Sequence, residues 1–250
     1  MSIRSTLRNI IGRGGDHTAV VLGASGMVGG FLTRFLLDNP SFRRVVLLVR
    51  RSLPVESRKL KQIEVDFAQP GALEEHQRYF RDADVFCCLG TTIKKAGSKD
   101  EFERIDYGIP YIVGQIASNA DARAVHVITA MGSNPDSKIF YNQVKGRLEK
   151  DLSALNLKAL HIYRPSLLNG KRLESRPAEE IGNLVAGVFR FAFIGPLKKY
   201  RPIAGEDVAR CMERIALMGA TGRHIYESDR LQEIADADMV ETPADQADAD

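Results

Sequence analysis

Thr18-Ala-Val-Val-Leu-Gly23-Ala-Ser-Gly26-Met-Val-Gly29-Gly30 decides the reading of this chain. A short apolar run enters glycines spaced three and three apart, and a helix-forming stretch follows. A run without polar alternation is the pattern of a strand buried on both faces, as in parallel sheets. The glycines let the chain turn tightly and let its backbone approach a pyrophosphate with no Cβ in the way. The helix that follows would aim free N–H groups and its positive end at the phosphates. Gly23 and Gly26 are therefore candidate contacts, and the Ser25 hydroxyl adds a donor. Gly12-Arg-Gly-Gly15 has no strand before it and reads as part of a flexible arm over 1–16.

Outward from this turn, short apolar runs alternate with helical segments. Strands are expected at Ala19–Leu22, Val45–Val49, Ile63–Val65, Val85–Leu89, Val125–Thr129 and Leu160–Tyr163. Helices are expected at Met27–Leu37, Ala72–Tyr79, Asp100–Asn119 and Tyr141–Leu155, with Pro110 kinking or restarting the third. This alternation predicts an α/β fold: a Rossmann-like, doubly wound parallel sheet covered on both faces. One domain spans 17–230, and its part after Pro165 (166–230) includes a small cap over the open end of the sheet. Residues 231–250 read as an acidic, disordered tail.

Charge follows the same division. The chain has 35 Lys and Arg against 32 Asp and Glu, a net +3, yet 231–250 holds seven acids and no Lys or Arg, which leaves +10 on the rest. No nucleic-acid motif accompanies the basic body, so a phosphorylated small molecule is the simpler partner. Three cysteines, two of them adjacent, make no disulfide framework and suit a reducing compartment; the expectation is a cytoplasmic protein. The N-terminus lacks the apolar core of a secretory signal, and no apolar run approaches the roughly 18 residues of a membrane span. Leu184–Gly195 comes nearest and is broken by Arg190. The five histidines lack metal-ligand spacing, so no metal site is expected.

The next strand ends Val49-Arg50-Arg51-Ser52. Arg50 stands 21 residues after Gly29, where an acid that holds the ribose of NAD would be expected. Arginines there pair well with a 2′-phosphate, which predicts NADP(H) over NAD(H). Asp66, after the third strand, is a candidate acceptor for the adenine amino group, with a turn-forming role as the competing account. In Cys87-Cys-Leu-Gly90-Thr91-Thr92 the small groups suit close passage of the cofactor, and Gly90 and Thr91 are candidate contacts. The cysteines themselves read as small apolar packing.

Tyr141-Asn-Gln-Val-Lys145 places a phenol and an ammonium one helical turn apart on one face. The ammonium should stabilise tyrosinate and lower the Tyr pKa toward working pH. Tyr141 and Lys145 are the candidate catalytic pair, and Lys145 also a cofactor contact. Thr129, at the end of the fifth strand, is the candidate for orienting a substrate oxygen; Ser133, beside Asn134-Pro135, reads better as a turn residue.

Together these residues resemble the short-chain dehydrogenase/reductases, specifically their atypical Tat-interacting-protein-like branch of NADPH-binding oxidoreductases. The resemblance runs from about Thr18 to Tyr226. It rests on the glycine turn, Arg50-Arg51, Val65-Asp-Phe67, Cys87–Thr92 with Lys95-Ala-Gly97, Tyr141-x-Gln-Val-Lys145-Gly146, Arg164-Pro165 and Arg172-Leu-Glu-Ser-Arg-Pro177. It implies catalytic roles for Tyr141 and Lys145. It implies cofactor contacts at Gly23, Ser25, Gly26, Met27, Val28, Arg50, Arg51, Leu89, Gly90 and, through its backbone, Leu168. The branch usually ends its fifth strand in Ser-Ser, where this chain has Thr129-Ala130.

The leading expectation is therefore an NADPH-dependent reductase of a small carbonyl or alcohol substrate, with a homodimer left open. The alternative is an NADP(H)-binding regulatory or interaction protein with weak or no catalysis, favoured by Ala130. A nucleotide-sugar epimerase ranks third, because the segment after Pro165 looks short for such a pocket. Arg172, Glu174 and Arg176 read as a surface ion-pair network before a substrate or partner contact.

Overall fold

In the computed structural model, which describes residues 16–169 and 200–237, the apolar run is strand β1, His17–Leu22. Ala19 through Leu22 are fully buried. Ala19 and Val21 enter one apolar layer, Val20 and Leu22 the other. Side chains of a strand alternate between faces, so a continuous apolar run is what a sheet covered on both sides requires. The further strands are β2 (Phe42–Val49), β3 (Leu60–Glu64), β4 (Ala83–Cys87), β5 (Ala124–Ile128), β6 (Ala159–Arg164), β7 (Leu168–Asn169), β8 (Ile203–Ala204) and β9 (Gly222–Glu227). Seven of them form one sheet in the order β3-β2-β1-β4-β5-β6-β9, and every pairing is parallel. β7 and β8 pair separately. The chain winds from β1 outward to β3, then returns to add β4 on β1's other side. The reversal between β1 and β4 is the switch point at which such sheets bind ligands.

Helices α1 (Met27–Asp38), α2 (Ile93–Ala96), α3 (Lys99–Glu103), α4 (Ile109–Asn119), α5 (Phe140–Ser153), α6 (Gly205–Met218) and α7 (Ser228–Asp236) complete the fold. Leu32 and Leu36 of α1, Val208 and Met212 of α6, and Leu231 and Ile234 of α7 cover one face. Val113 and Ile116 of α4 and Leu148 and Leu152 of α5 cover the other. The expected Rossmann-like fold is the observed one.

Several expectations change. The helix expected over Ala72–Tyr79 is a short 3-10 helix, Glu74–Tyr79. The fourth and fifth strands each end one or two residues early, before Cys88 and Thr129. The helix expected over Asp100–Asn119 is interrupted between α3 and α4 by a π turn, Arg104–Gly108. Pro110 explains it: proline has no N–H for the Asp106 carbonyl four residues earlier, and the Ile109 N–H instead reaches back five residues to Arg104. Lastly, much of the expected cap is core. β9 extends the main sheet, and α6 packs on α1. The folded chain also runs on to Asp236, so the tail boundary at 231 falls inside α7, whose Leu231 and Ile234 are buried. Arg172, Glu174, Arg176 and Leu184–Gly195 lie outside the described residues.

Candidate active site

The glycine turn closes the space between β1 and β4. Gly23 has φ +82°, a left-handed conformation, and a Cβ there would lie 2.5 Å from the Cys88 carbonyl oxygen. The Gly26 N–H donates to the Gly23 carbonyl at 2.9 Å. A Cβ on Gly29 would overlap that same carbonyl, so Gly29 lets α1 start directly over the turn. Gly26 caps α1 with no side-chain hydrogen bond, and no acid stands in the first turn. The first N–H groups of α1, those of Met27 and Val28 among them, thus have no side-chain cap. Ser25 is exposed beside them. Val28 is buried in the core, and Met27 packs against Gly205, so both side chains are structural and only their backbone faces the turn.

Across the switch point lie Tyr141 and Lys145 in α5, joined by a residue that sequence reasoning missed. The Lys145 Nζ is 2.7 Å from Asp106 Oδ1, with both side chains almost fully buried. The second oxygen, Asp106 Oδ2, accepts the Thr91 N–H at 2.8 Å. Asp106 thereby joins α5 to the Leu89-Gly90-Thr91 loop after β4. An acid four residues before a proline inside an expected helix was the signal that could have found it. The Tyr141 ring packs on Phe102, centroids 5.6 Å apart. The expectation of a lowered Tyr141 pKa is corrected: burial pushes the phenol up, Lys145 pulls it down and Asp106 pushes it up again, for a net rise.

Thr129 belongs to a different network. It is buried, and its hydroxyl donates to Glu149 Oε1 at 2.6 Å. Arg164 grips the same carboxylate through Nε at 3.0 Å and Nη2 at 2.5 Å. These contacts tie the ends of β5 and β6 to α5, and they spend the hydroxyl proton away from Tyr141. Ala130 has no hydroxyl, and the Ser133 hydroxyl donates to the Ala130 carbonyl at 2.6 Å, a turn contact.

Arg50 and Arg51 are exposed at the end of β2, and neither forms an ion pair among the described residues. Ser52, next to them, donates its N–H and hydroxyl to Glu64, and those bonds lower the Glu64 pKa. Asp66 Oδ1 accepts the Ala68 N–H at 3.0 Å, the turn role weighed above. Leu168 lies in β7 against Ile203. Burial pushes the Cys87 thiol up to about 11 and raises Cys88 as well, so both remain protonated packing groups. Among the described residues no cluster has metal-ligand geometry, and no helix is long and apolar enough to cross a membrane.

Comparison with known proteins places this chain in a family. Protein FMP52-1, mitochondrial, of Scheffersomyces stipitis is 34% identical over 196 residues, 77% of this chain and 85% of the relative. Protein HTATIP2 of Rattus norvegicus is 34% identical over 165 residues, 66% of this chain and 68% of the relative. The chain belongs to the FMP52/HTATIP2 family of atypical short-chain dehydrogenase/reductases. No family model matches the sequence. Among solved structures, a short-chain type dehydrogenase/reductase of Mycobacterium ulcerans superposes with TM-score 0.60 at 14% identity, over 87% of this chain and 90% of its own. The ADP-L-glycero-D-manno-heptose-6-epimerase of Helicobacter pylori does so with TM-score 0.61 at 16% identity, over 90% and 83%. At these identities the structures share the fold alone. The expectation of a cytoplasmic protein is overturned: FMP52 relatives from Scheffersomyces, Debaryomyces, Candida and Saccharomyces are all named mitochondrial.

Proposed function

We propose that this member of the family is an NADPH-dependent reductase of carbonyl substrates. The observation that carries the reading is the meeting of Tyr141, Lys145 and Asp106 with the Leu89–Thr91 loop at the sheet's switch point. The residues fit the cofactor. Gly23, Ser25, Gly26 and the N–H groups of Met27 and Val28 would hold its diphosphate, where glycine packing leaves the backbone bare. Arg50 and Arg51 would hold the 2′-phosphate, which favours NADPH over NADH. Leu89, Gly90, Thr91 and Lys145 would line the ribose and nicotinamide side, with the Leu168 backbone opposite. When bound, the reduced cofactor supplies a hydride to a carbonyl carbon. Tyr141 gives its phenol proton to the carbonyl oxygen, and Lys145 holds the phenolate that remains until solvent reprotonates it.

A second reading keeps the cofactor and gives up catalysis: neither Thr129 nor Ala130 offers a hydroxyl beside Tyr141. One experiment separates the two. Purified protein should bind NADPH far more tightly than NADH and oxidise it with at least one member of a carbonyl panel. Tyr141→Phe should abolish that turnover with NADPH affinity nearly unchanged. Tight binding without turnover supports the second reading, and equal affinity for both cofactors removes the 2′-phosphate assignment.

A further inference from the structure

Among the described residues, the carboxylate of Asp106 is the one charged group that meets the Tyr141–Lys145 pair from outside helix α5. It is 1% exposed, and both its oxygens are engaged, one by Lys145 and one by the Thr91 N–H. A buried carboxylate and a buried ammonium each cost several kcal/mol alone, so each holds the other in place. The π turn that Pro110 imposes delivers Asp106 to this position.

We propose that Asp106 is a positioning residue of this site, fixing Lys145 beside Tyr141 and absorbing its positive charge, so that Tyr141 works as a proton donor and the site is built for reduction. The proposal rests on the reading of Tyr141 as the acid. A lone ammonium one helical turn away would stabilise tyrosinate and ready the site to remove a proton from an alcohol. Closed into a neutral pair, the same ammonium presents a dipole, whose influence on the phenol is much weaker. Among the described residues, the groups that face Tyr141 come from three elements besides its own helix. Lys145 comes from its own helix and Asp106 from the π turn. The Phe102 ring of α3 is uncharged. The Cys87 thiol of β4 also feels the pair and, raised to about 11, stays neutral. With burial added, the phenol keeps its proton through the neutral range. In the reducing direction the carbonyl carbon takes the hydride, the oxygen takes the phenol proton, and tyrosinate recovers a proton from solvent. The reverse direction has to begin from tyrosinate and therefore needs alkali.

The test is an alkaline titration of the tyrosinate absorbance band of the whole protein, without cofactor or substrate. Tyr141→Phe in each background isolates the Tyr141 signal. Asp106→Asn keeps an oxygen for Thr91 and removes the charge. It should lower the Tyr141 midpoint by about one pH unit or more, a tenfold gain in tyrosinate at a given pH. Asp106→Glu should restore the midpoint toward wild type. An unchanged midpoint in Asp106→Asn overturns the proposal. If that variant is too unstable to titrate, Asp106→Asn combined with Lys145→Gln, neutral at both positions, should titrate as wild type does. A displacement of one pH unit in this double variant overturns the proposal equally. Because the readout needs no turnover, it separates the two readings: a shifted midpoint with no carbonyl reduced keeps Asp106 as the residue that sets the Lys145 charge beside Tyr141 and removes the reductase reading with its direction.

Discussion

Thr129 and Asp106 show how partner distance governs what a single residue discloses. Tyr141 and Lys145 are legible because helical spacing alone puts them on one face. Thr129 stands where a substrate-orienting hydroxyl was expected, but its acceptor is Glu149, a residue that only the packing of α5 on the sheet brings near. Asp106 is likewise joined to Lys145 by tertiary structure, and its local trace is Pro110 four positions on. If the Thr129 hydroxyl serves Glu149, Thr129→Val should act on stability and spare chemistry. Glu149 would keep Arg164 and lose one donor in a buried setting, a loss of about 1–3 kcal/mol. Urea unfolding should show that loss, while kcat for any carbonyl the wild type reduces should hold within about twofold, well under the roughly 1.4 kcal/mol of a tenfold effect. A large fall in kcat at unchanged stability would return Thr129 to the active site.

Elements were legible where burial was two-sided. β1, β2, β4, β5 and β6 announce themselves as apolar runs, but β9 reads Gly-Arg-His-Ile-Tyr-Glu and lies at the sheet edge, half-exposed along much of its length. Its identity as a strand comes from cross-strand partners. Phe86, His126, His161 and His224 stand in register on β4, β5, β6 and β9, their rings stacked at 4.5, 4.7 and 5.2 Å. Cross-strand pairs of this kind are tertiary information that no single segment contains. The ladder has a pH consequence. Burial, then the neighbouring His126 and His224, push His161 down to about 3; burial also lowers His126, against the pull of Asp84. Below the ordinary histidine pKa of about 6.5 the unfolded chain takes up these protons and the folded one does not, so stability falls on acidification. For His161 the window runs from about 6.5 down to about 3. His161→Phe, which keeps a stacking ring, should flatten the slope of unfolding free energy against pH by up to about 1.4 kcal/mol per unit within that window. Urea unfolding at a series of pH values reads the slope, and identical slopes would mean that His161 titrates as it does in the unfolded chain.

Across the whole molecule, the charge division between a basic body and an acidic end does not coincide with the boundary of the fold. Acidic composition hid the apolar stripe of α7, because Leu231, Ile234 and Ala235 are spaced to one helical face among Asp and Glu residues. That stripe closes the layer made by α1 and α6. The α7 backbone is used as well: Cys211 Sγ donates to the Leu231 carbonyl at 2.7 Å, and Arg214 Nη1 to those of Ile234 and Ala235 at 2.5 and 3.0 Å. Two truncations therefore separate charge from packing. A chain ending at Ala237 loses the last five of the seven acids and keeps α7; its unfolding midpoint in urea and its NADPH affinity should match those of the full chain. A chain ending at Arg230 gives up the burial of Leu231 and Ile234, at roughly 1.5–3 kcal/mol each. It also strips the buried Arg214 of two acceptors, so a loss of about 4 kcal/mol or more is expected, a large share of the roughly 5–15 kcal/mol that holds an ordinary domain folded. Equal stability of the two truncated chains would show that the acidic end stands outside the fold from 231 onward and that the α7 contacts contribute nothing. A loss of NADPH affinity in the longer chain alone, at unchanged stability, would instead assign the terminal acids a part in the basic cofactor site.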